Sequence, residues 1–381
     1  MKAMPRLCAA LATLAIAAPA SAQDAQSIAD AINDALREVQ VEIIQAAAQV
    51  GRGAGQAARE AAQAAREQER RRRDESRRGP EVTEAFSKTV RLGRDGTFSL
   101  ENVSGDIEVN GGSGSDVRID ATKRARHPDS AEARSILQDL VINVSERGGN
   151  VDVRTEYQRY GNRRNRFGYG SVDYTVSVPR EASVMLKSIS GAVKVTNVNG
   201  ELRAESISGG VVISAARKIR TLKSISGDVQ VADSQSDDLS AGSTSGSVIL
   251  RNVKTRIVEL QSISGDLRLT DVEAEHAEMR TVSGNVEYSG RLSRNGRYDF
   301  QSHSGNVRLI PMSTPNFSIE ATTFSGDVRT DFPLTLQGGS QSFARGFQGR
   351  RQNHSVRGTV GSGGAMITMQ SFSGNIVIAK Q

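Results

Sequence analysis

Residues able to do acid-base or metal chemistry are present in this chain but are not gathered. The four histidines, His127, His276, His303 and His354, lie far apart and show no spacing suited to a zinc site. No Gly-x-Ser-x-Gly nucleophile elbow and no phosphate-binding P-loop occurs. The groups that do recur at a fixed spacing are serine, glycine and a short carboxylate or amide. Asp106, Asp228, Asp266, Asn285, Asn306, Asp327 and Asn375 each follow a glycine directly. Such a column could do acid-base work on a glycan, with Asp228 and Asp266 as its candidates. The same side chains also hydrogen-bond to nearby backbone and stabilise turns, and their recurrence at turn positions favours that role. The calcium pattern Gly-Gly-x-Gly-x-Asp is absent from these turns, and no metal or cofactor is expected.

The elements that carry these groups form a repeat. Its corner reads Asn102-Val-Ser-Gly105, Ser188-Ile-Ser-Gly191, Ser206-Ile-Ser-Gly209, Ser224-Ile-Ser-Gly227, Ser243-Thr-Ser-Gly246 and Ser262-Ile-Ser-Gly265. It continues as Thr281-Val-Ser-Gly284, Ser302-His-Ser-Gly305, Thr323-Phe-Ser-Gly326 and Ser371-Phe-Ser-Gly374. From Gly191 to Gly326 the spacing is 18 to 21 residues, a period typical of solenoids. Two and four places after the glycine stand apolar residues such as Val193/Val195, Val211/Ile213 and Leu267/Leu269, with a polar residue between them. Seven and five places before it stand Phe98/Leu100, Val184/Leu186, Leu202/Ala204, Val258/Leu260, Tyr298/Phe300 and Ile367/Met369, with Arg220/Leu222 a partial exception. Alternation of period two marks strands with one buried face. Each unit thus holds two inward-facing strands bent at Ser-x-Ser-Gly, a bend suited to glycine. The expected fold is all-β, a β-solenoid of about ten stacked repeats, each strand pairing with its copies above and below. The variable residue is mostly Ile, and the pattern leaves open whether it fills the core or forms an exposed stripe.

Two long intervals mark insertions. Between Gly105 and Gly191, at about 111–180, the pattern predicts strands at 116–124, 140–145, 150–157 and 171–178 and a helix at 129–139. The tip between the last two strands, residues 157–169, is basic and aromatic: Tyr157, Arg159, Tyr160, Arg163, Arg164, Arg166, Phe167 and Tyr169. That mixture could engage an anionic glycan or another polyanion by stacking and charge, or be a mobile hairpin tip. The later insertion, about 331–364, reads as a long loop before a final strand. A solenoid end left open exposes unpaired backbone, so a neighbouring segment or another subunit is expected to cover it.

Ahead of the solenoid, at 81–381, lies a charged helical extension, 23–80. Ile28, Ile32, Leu36, Val39, Ile43, Ala47 and Val50 recur at helical spacing, and Gly51, Gly53 and Gly55 interrupt the pattern. Residues 24–50 carry five acids against one base and 51–80 nine bases against five acids, so the halves could pair within or between molecules. A solvated tether is the alternative. The arginines at 70–73, with Arg77 and Arg78, could rest on anionic lipid or glycan. Residues 1–22 read as an export signal: Lys2 and Arg6, the apolar run 7–18, then Ala20-Ser21-Ala22. The only cysteine, Cys8, lies inside that run, so neither a lipid anchor nor a disulfide framework is expected. No later stretch is apolar enough to form a membrane-crossing helix. The net charge of +6 over 381 residues is modest and argues against nucleic acid.

The Ser-x-Ser-Gly-Asp-Val-x-Val units, preceded by a strand-helix-strand insertion and an export signal, resemble the bacterial DUF4097 family, whose members often carry an adhesin label. The resemblance covers roughly 86–381 and implies a β-solenoid at the cell envelope with no established catalytic residues. The sequence thus suggests a non-enzymatic envelope protein, periplasmic or at the cell surface, that offers a rigid surface for adhesion or binding. The alternative is a glycan-active β-helix enzyme, a polysaccharide lyase or hydrolase. Possible partners are an anionic glycan, a membrane surface, or another copy joined through the 24–80 helices or the C-terminal solenoid edge.

Overall fold

The computed structural model describes residues 80–93, 96–157, 169–312, 316–336 and 354–380. The expected export signal and the expected helical extension, residues 1–22 and 23–80, lie outside them apart from Pro80. Among the described residues the chain is all-β with one helix. In chain order come β1 (Glu81–Arg91), β2 (Thr97–Ser104), β3 (Ile107–Gly112), β4 (Asp116–Arg126), α1 (Ser130–Asp139), β5 (Leu140–Arg147), β6 (Asn150–Tyr157) and β7 (Tyr169–Pro179). The coils follow as β8 (Ser183–Ser190), β9 (Val193–Thr196), β10 (Glu201–Ser208), β11 (Val211–Ser214), β12 (Lys218–Ser224), β13 (Val229–Ser243), β14 (Val248–Ser262), β15 (Leu267–Ser283) and β16 (Val286–Ser304). The last are β17 (Val307–Pro311), β18 (Phe317–Ser325), β19 (Val328–Thr330), β20 (Thr335–Leu336), β21 (His354–Val360), β22 (Ala365–Ser373) and β23 (Ile376–Ile378).

Alternation decides which face each strand buries, and parallel register then stacks like on like. Val193 pairs with Val211, Val211 with Val229, Val229 with Val248 and Val248 with Leu267. On the other wall Val184, Leu202 and Ile219 pair in turn. All these side chains are buried, so this part of the core is a set of aliphatic columns, while farther along Tyr288, Tyr298 and Phe300 form a buried aromatic cluster with ring centroids 5.4 to 6.4 Å apart. The exception expected at Arg220/Leu222 is corrected by a bulge. Leu202 pairs with Ile219 but Arg203 pairs with Thr221, so Arg220 is the extra residue and Ile219 takes the core position. Arg220 then reaches Glu201 and Asp238, at 3.8 and 3.5 Å.

Glycine at the corner is explained by close approach more than by left-handed backbone. Gly105 and Gly191 have φ of 109° and 143°, whereas no such angle occurs at the corners from Gly209 onward. A Cβ on Gly209, Gly265 or Gly284 would lie 2.1 Å from the carbonyl oxygen of the preceding corner's glycine. The first corner serine or threonine points inward and donates to that same carbonyl. Ser243 reaches Gly227 at 2.8 Å, Ser262 reaches Gly246 at 3.1 Å and Thr281 reaches Gly265 at 3.0 Å. A buried hydroxyl and a buried carbonyl are thereby satisfied together.

The insertion extends the stack. β6 runs parallel to β2 and β7 parallel to β3, so these strands form one more coil. The Val172 carbonyl sits where a preceding glycine's would, 2.3 Å from a Cβ on Gly105, and accepts from the Asn102 amide at 2.8 Å. Valine is tolerated there because its outer neighbour is β4, antiparallel, rather than another corner. The helix expected at 129–139 is α1, capped by Asp129, whose side chain accepts from the Ala131 N–H at 2.8 Å. Its Ala133 and Leu137 are buried.

At the other end the stacking order departs from sequence order. β22 lies between β16 and β18, and β23 between β17 and β19. The final strand is therefore internal, not the exposed end that the sequence suggests. The outer edge of β18 is covered from within the chain by β21, antiparallel, with β20 beside it. Strands β20 and β21 occupy part of the stretch expected to be loop.

The glycine argument predicts a contrast between two alanines. Gly265→Ala should cost about 3 kcal/mol, because backbone must move. Gly210→Ala, whose Cβ would meet only the Asp228 carbonyl oxygen at 3.4 Å, should cost under about 1 kcal/mol. Urea unfolding of both variants reads the difference. Burial also pushes the Tyr174 hydroxyl up to about 12 and raises those of Tyr288 and Tyr298. These folded-state values exceed the unfolded one near 10, so their contribution is fully present below pH ~10 and is lost as pH rises towards 12. Unfolding midpoints should fall across that window, and Tyr174→Phe should flatten part of the fall.

Candidate functional site: an exposed apolar ridge

The variable corner residue points outward, and period two explains why. Leu186 and Ser188 face inward, so Ile189 between Ser188 and Ser190 must face out. Stacking then lines these residues up. In spatial order the column runs Val103, Ile189, Ile207, Ile225, Thr244, Ile263, Val282, His303, Phe372 and Phe324. The isoleucines are 47 to 53% exposed. Among the described residues the large apolar side chains most open to solvent are these four isoleucines, Val282, Phe372 and Met366, and only Met366 stands off the column. The stripe that the sequence left undecided is thus an exposed ridge.

One end of the ridge is aromatic. His303 stacks on Phe372 at 4.8 Å between centroids and 10° between planes, and Phe324 stacks on the far face of the same ring at 4.8 Å and 4°. Only the intercalation of β22 makes this order possible, because it places Phe372 between two residues that precede it in the chain. Beside the ridge runs a second column, the exposed serines Ser190, Ser208, Ser226, Ser245, Ser264, Ser283 and Ser304. The pair of columns offers apolar surface flanked by hydroxyls, with no nucleophile-base pair.

The corner carboxylates and amides are held in the stack. Asp228 accepts from the Ser247 N–H and Asp266 from the Asn285 N–H, both at 2.8 Å. Asn306 accepts from Asn375, and Asn375 from Asp327, each at 2.9 Å. The expected structural role takes another form: each bond reaches the next corner instead of closing its own turn. Among the described residues no cluster of three potential metal ligands occurs. His303 fills a ridge position, and the His127 ring accepts from the Asp129 N–H at 3.1 Å.

Of the basic and aromatic tip, the structure describes only the two end residues. Tyr157 is half-buried and donates to the Gly170 carbonyl at 2.7 Å, so it anchors the hairpin. The backbone of Tyr169 begins β7. Arg159, Tyr160, Arg163, Arg164, Arg166 and Phe167 lie outside the described residues.

The opposite corner went unread in the sequence. Six residues after the glycine, Asn197, Ala215, Asp233, Asn252 and Asp271 adopt φ of 49° to 59°. Asn and Asp tolerate that left-handed region best, and the column was visible in the sequence as an Asn/Asp run at fixed spacing. Beyond it a groove of about 850 Å³ crosses several coils, lined by Arg217, Lys254, Arg256, Asp237 and Glu273 among others. Its charges are mixed and partly paired, as with Lys254 and Glu273 at 3.3 Å, so it favours neither sign of ligand.

Comparison with known proteins gives a family match and distant structural likenesses. The profile of the family described as Toastrack DUF4097 matches residues 99–379. A candidate lipid-binding protein of Parabacteroides distasonis is 15% identical, with a TM-score of 0.43, covering 77% of this chain and 96% of its own. A candidate adhesin of Bacteroides fragilis is 13% identical, with a TM-score of 0.37, covering 78% and 97%. A candidate cell adhesion protein of Clostridium sporogenes is 7% identical, with a TM-score of 0.21, covering 79% and 100%. No curated protein matches.

If the ridge is surface and not core, its side chains contribute little to folding. Ile263→Ser should change stability by about 1 kcal/mol or less, whereas Leu260→Ala, three residues away and fully buried, should cost about 2–5 kcal/mol. Thermal melts of the two variants separate these cases.

Proposed function

This chain belongs to the Toastrack DUF4097 family, and we propose that it is an exported, non-enzymatic cell-envelope protein that binds envelope or extracellular ligands through its apolar ridge. The observation that carries this reading is the alignment of half-exposed isoleucine, valine and phenylalanine at one place in coil after coil. Surface apolar residues on a soluble protein are ordinarily scattered, and a contiguous strip of them marks an interaction site. The backing is stiff, because corner amides, hydroxyls and Asx side chains all bond to the neighbouring corner. A ligand therefore meets a preorganised surface and pays little ordering entropy on the protein side.

The export signal at 1–22 supports an envelope location. No helix among the described residues is long and apolar enough to cross a membrane. The proposal extends to the arginines and aromatics of 158–168, which join β6 to β7, as a contact for anionic glycan or lipid headgroups. Carboxylates engaged in the stack, as Asp228 and Asp266 are, support a structural over a catalytic role.

Co-sedimentation of the purified chain with isolated envelope fragments tests the proposal. Binding should fall at least tenfold in an Ile207→Lys/Ile225→Lys double variant with unchanged circular dichroism. Undiminished binding by that variant would overturn the assignment of the ridge.

A further inference from the structure

We infer that the partner of the ridge is a second copy of this chain, the two ridges lying side by side and parallel; this rests on the ridge being a binding surface. Three features of the molecule lead there.

The first is commensurability. The ridge repeats its side chain at each strand step of ~4.8 Å over roughly 43 Å, and a partner must present complementary features at the same interval to bury all of them. A second ridge does so by construction. Rows of like side chains at this period interdigitate into dry, close-packed seams in stacked sheets.

The second is area. From the residue two places before the ridge to the corner glycine is about 13 Å of strand, which makes the strip on the order of 560 Å² in projection. Side-chain relief brings its accessible surface towards the roughly 800 Å² per partner of a standard interface.

The third is charge, which also fixes the direction. Apart from His303 the ridge carries no titratable group, and the serine column beside it is neutral. The charged residues of the column on its other side are Glu101, Lys187, Glu205, Lys223 and Arg280, with Gly242 and Gln261 between the last two. A twofold axis along the ridge sets this charged column against the partner's serines, whereas an antiparallel pairing centred on Thr244 and Ile263 sets Lys223 against Arg280. Parallel pairing avoids that repulsion, and it places isoleucine on isoleucine and the aromatic stack on its own copy. The contact is isologous and closes at two copies.

Sedimentation equilibrium of the full chain is the test. The wild-type chain should be a dimer. Ile207→Lys/Ile225→Lys should weaken dimerisation at least a hundredfold, while Met366→Lys, exposed but off the ridge, should leave it intact. Parallel pairing further predicts that Ile207→Cys and Val282→Cys each form a disulfide with the same position in the partner, with the wild-type chain, whose only cysteine is Cys8, as control. A dimer that survives the lysine variant places self-association elsewhere and overturns the inference. So does a monomeric wild-type chain; if the lysine variant of that monomer still loses envelope binding, the ridge remains a binding surface for some other partner.

Discussion

The carbonyl of one corner glycine occupies the space that a side chain on the next would need. At Gly265 that separation is 2.1 Å from the position of a Cβ, and comparable values recur from Gly191 to Gly374. This close approach sets corners at strand spacing and brings an inward serine within reach of the same oxygen. It also lets an Asx side chain bond to the next corner's N–H. Core packing follows from it, because coils held in register must stack valine on valine and leucine on leucine.

The ridge is a consequence of the same constraint. An inward serine at the corner leaves the residue after it no choice but to face solvent, and register aligns those residues into a column. The ends of the stack show what happens where the constraint lapses. Val172 takes the glycine position at one end because no further corner lies beyond it, and the next strand out is the antiparallel β4. At the other end β22 and β23 enter between coils that precede them, and β21 closes the edge of β18. Edge strands left unpaired invite aggregation, and β4 on β7 at one end and β21 on β18 at the other cover edges of the stack.

Much of this was legible in the residues. Alternation on both sides of Ser-x-Ser-Gly gives the two walls, and Asp129 ahead of an amphipathic run gives α1. Where reading failed, the cause was physical. Arg220 misled because a bulge shifts register by one residue. The position of Gly374 could not be read because its motif is equivalent to that of Gly326, and the length of the intervening connection, not any local signal, permits either order. The coil formed by β6 and β7 was hidden because its corner has no glycine to announce it. The outward direction of the ridge was within reach, since the parity that buries Leu186 also buries Ser188 and exposes Ile189.

Backbone amide hydrogen exchange at the corners tests the stacking most directly. The N–H groups of Ser245, Ser264 and Ser283 donate to the carbonyls of Ile225, Thr244 and Ile263 in the preceding corner, at 2.8 to 2.9 Å. Stacked corners predict that these amides, although they belong to residues open to solvent, are as protected as those of the buried strands. Exchange at the rate of an open loop would mean that the corners do not stack, and the ridge would then not exist as a surface.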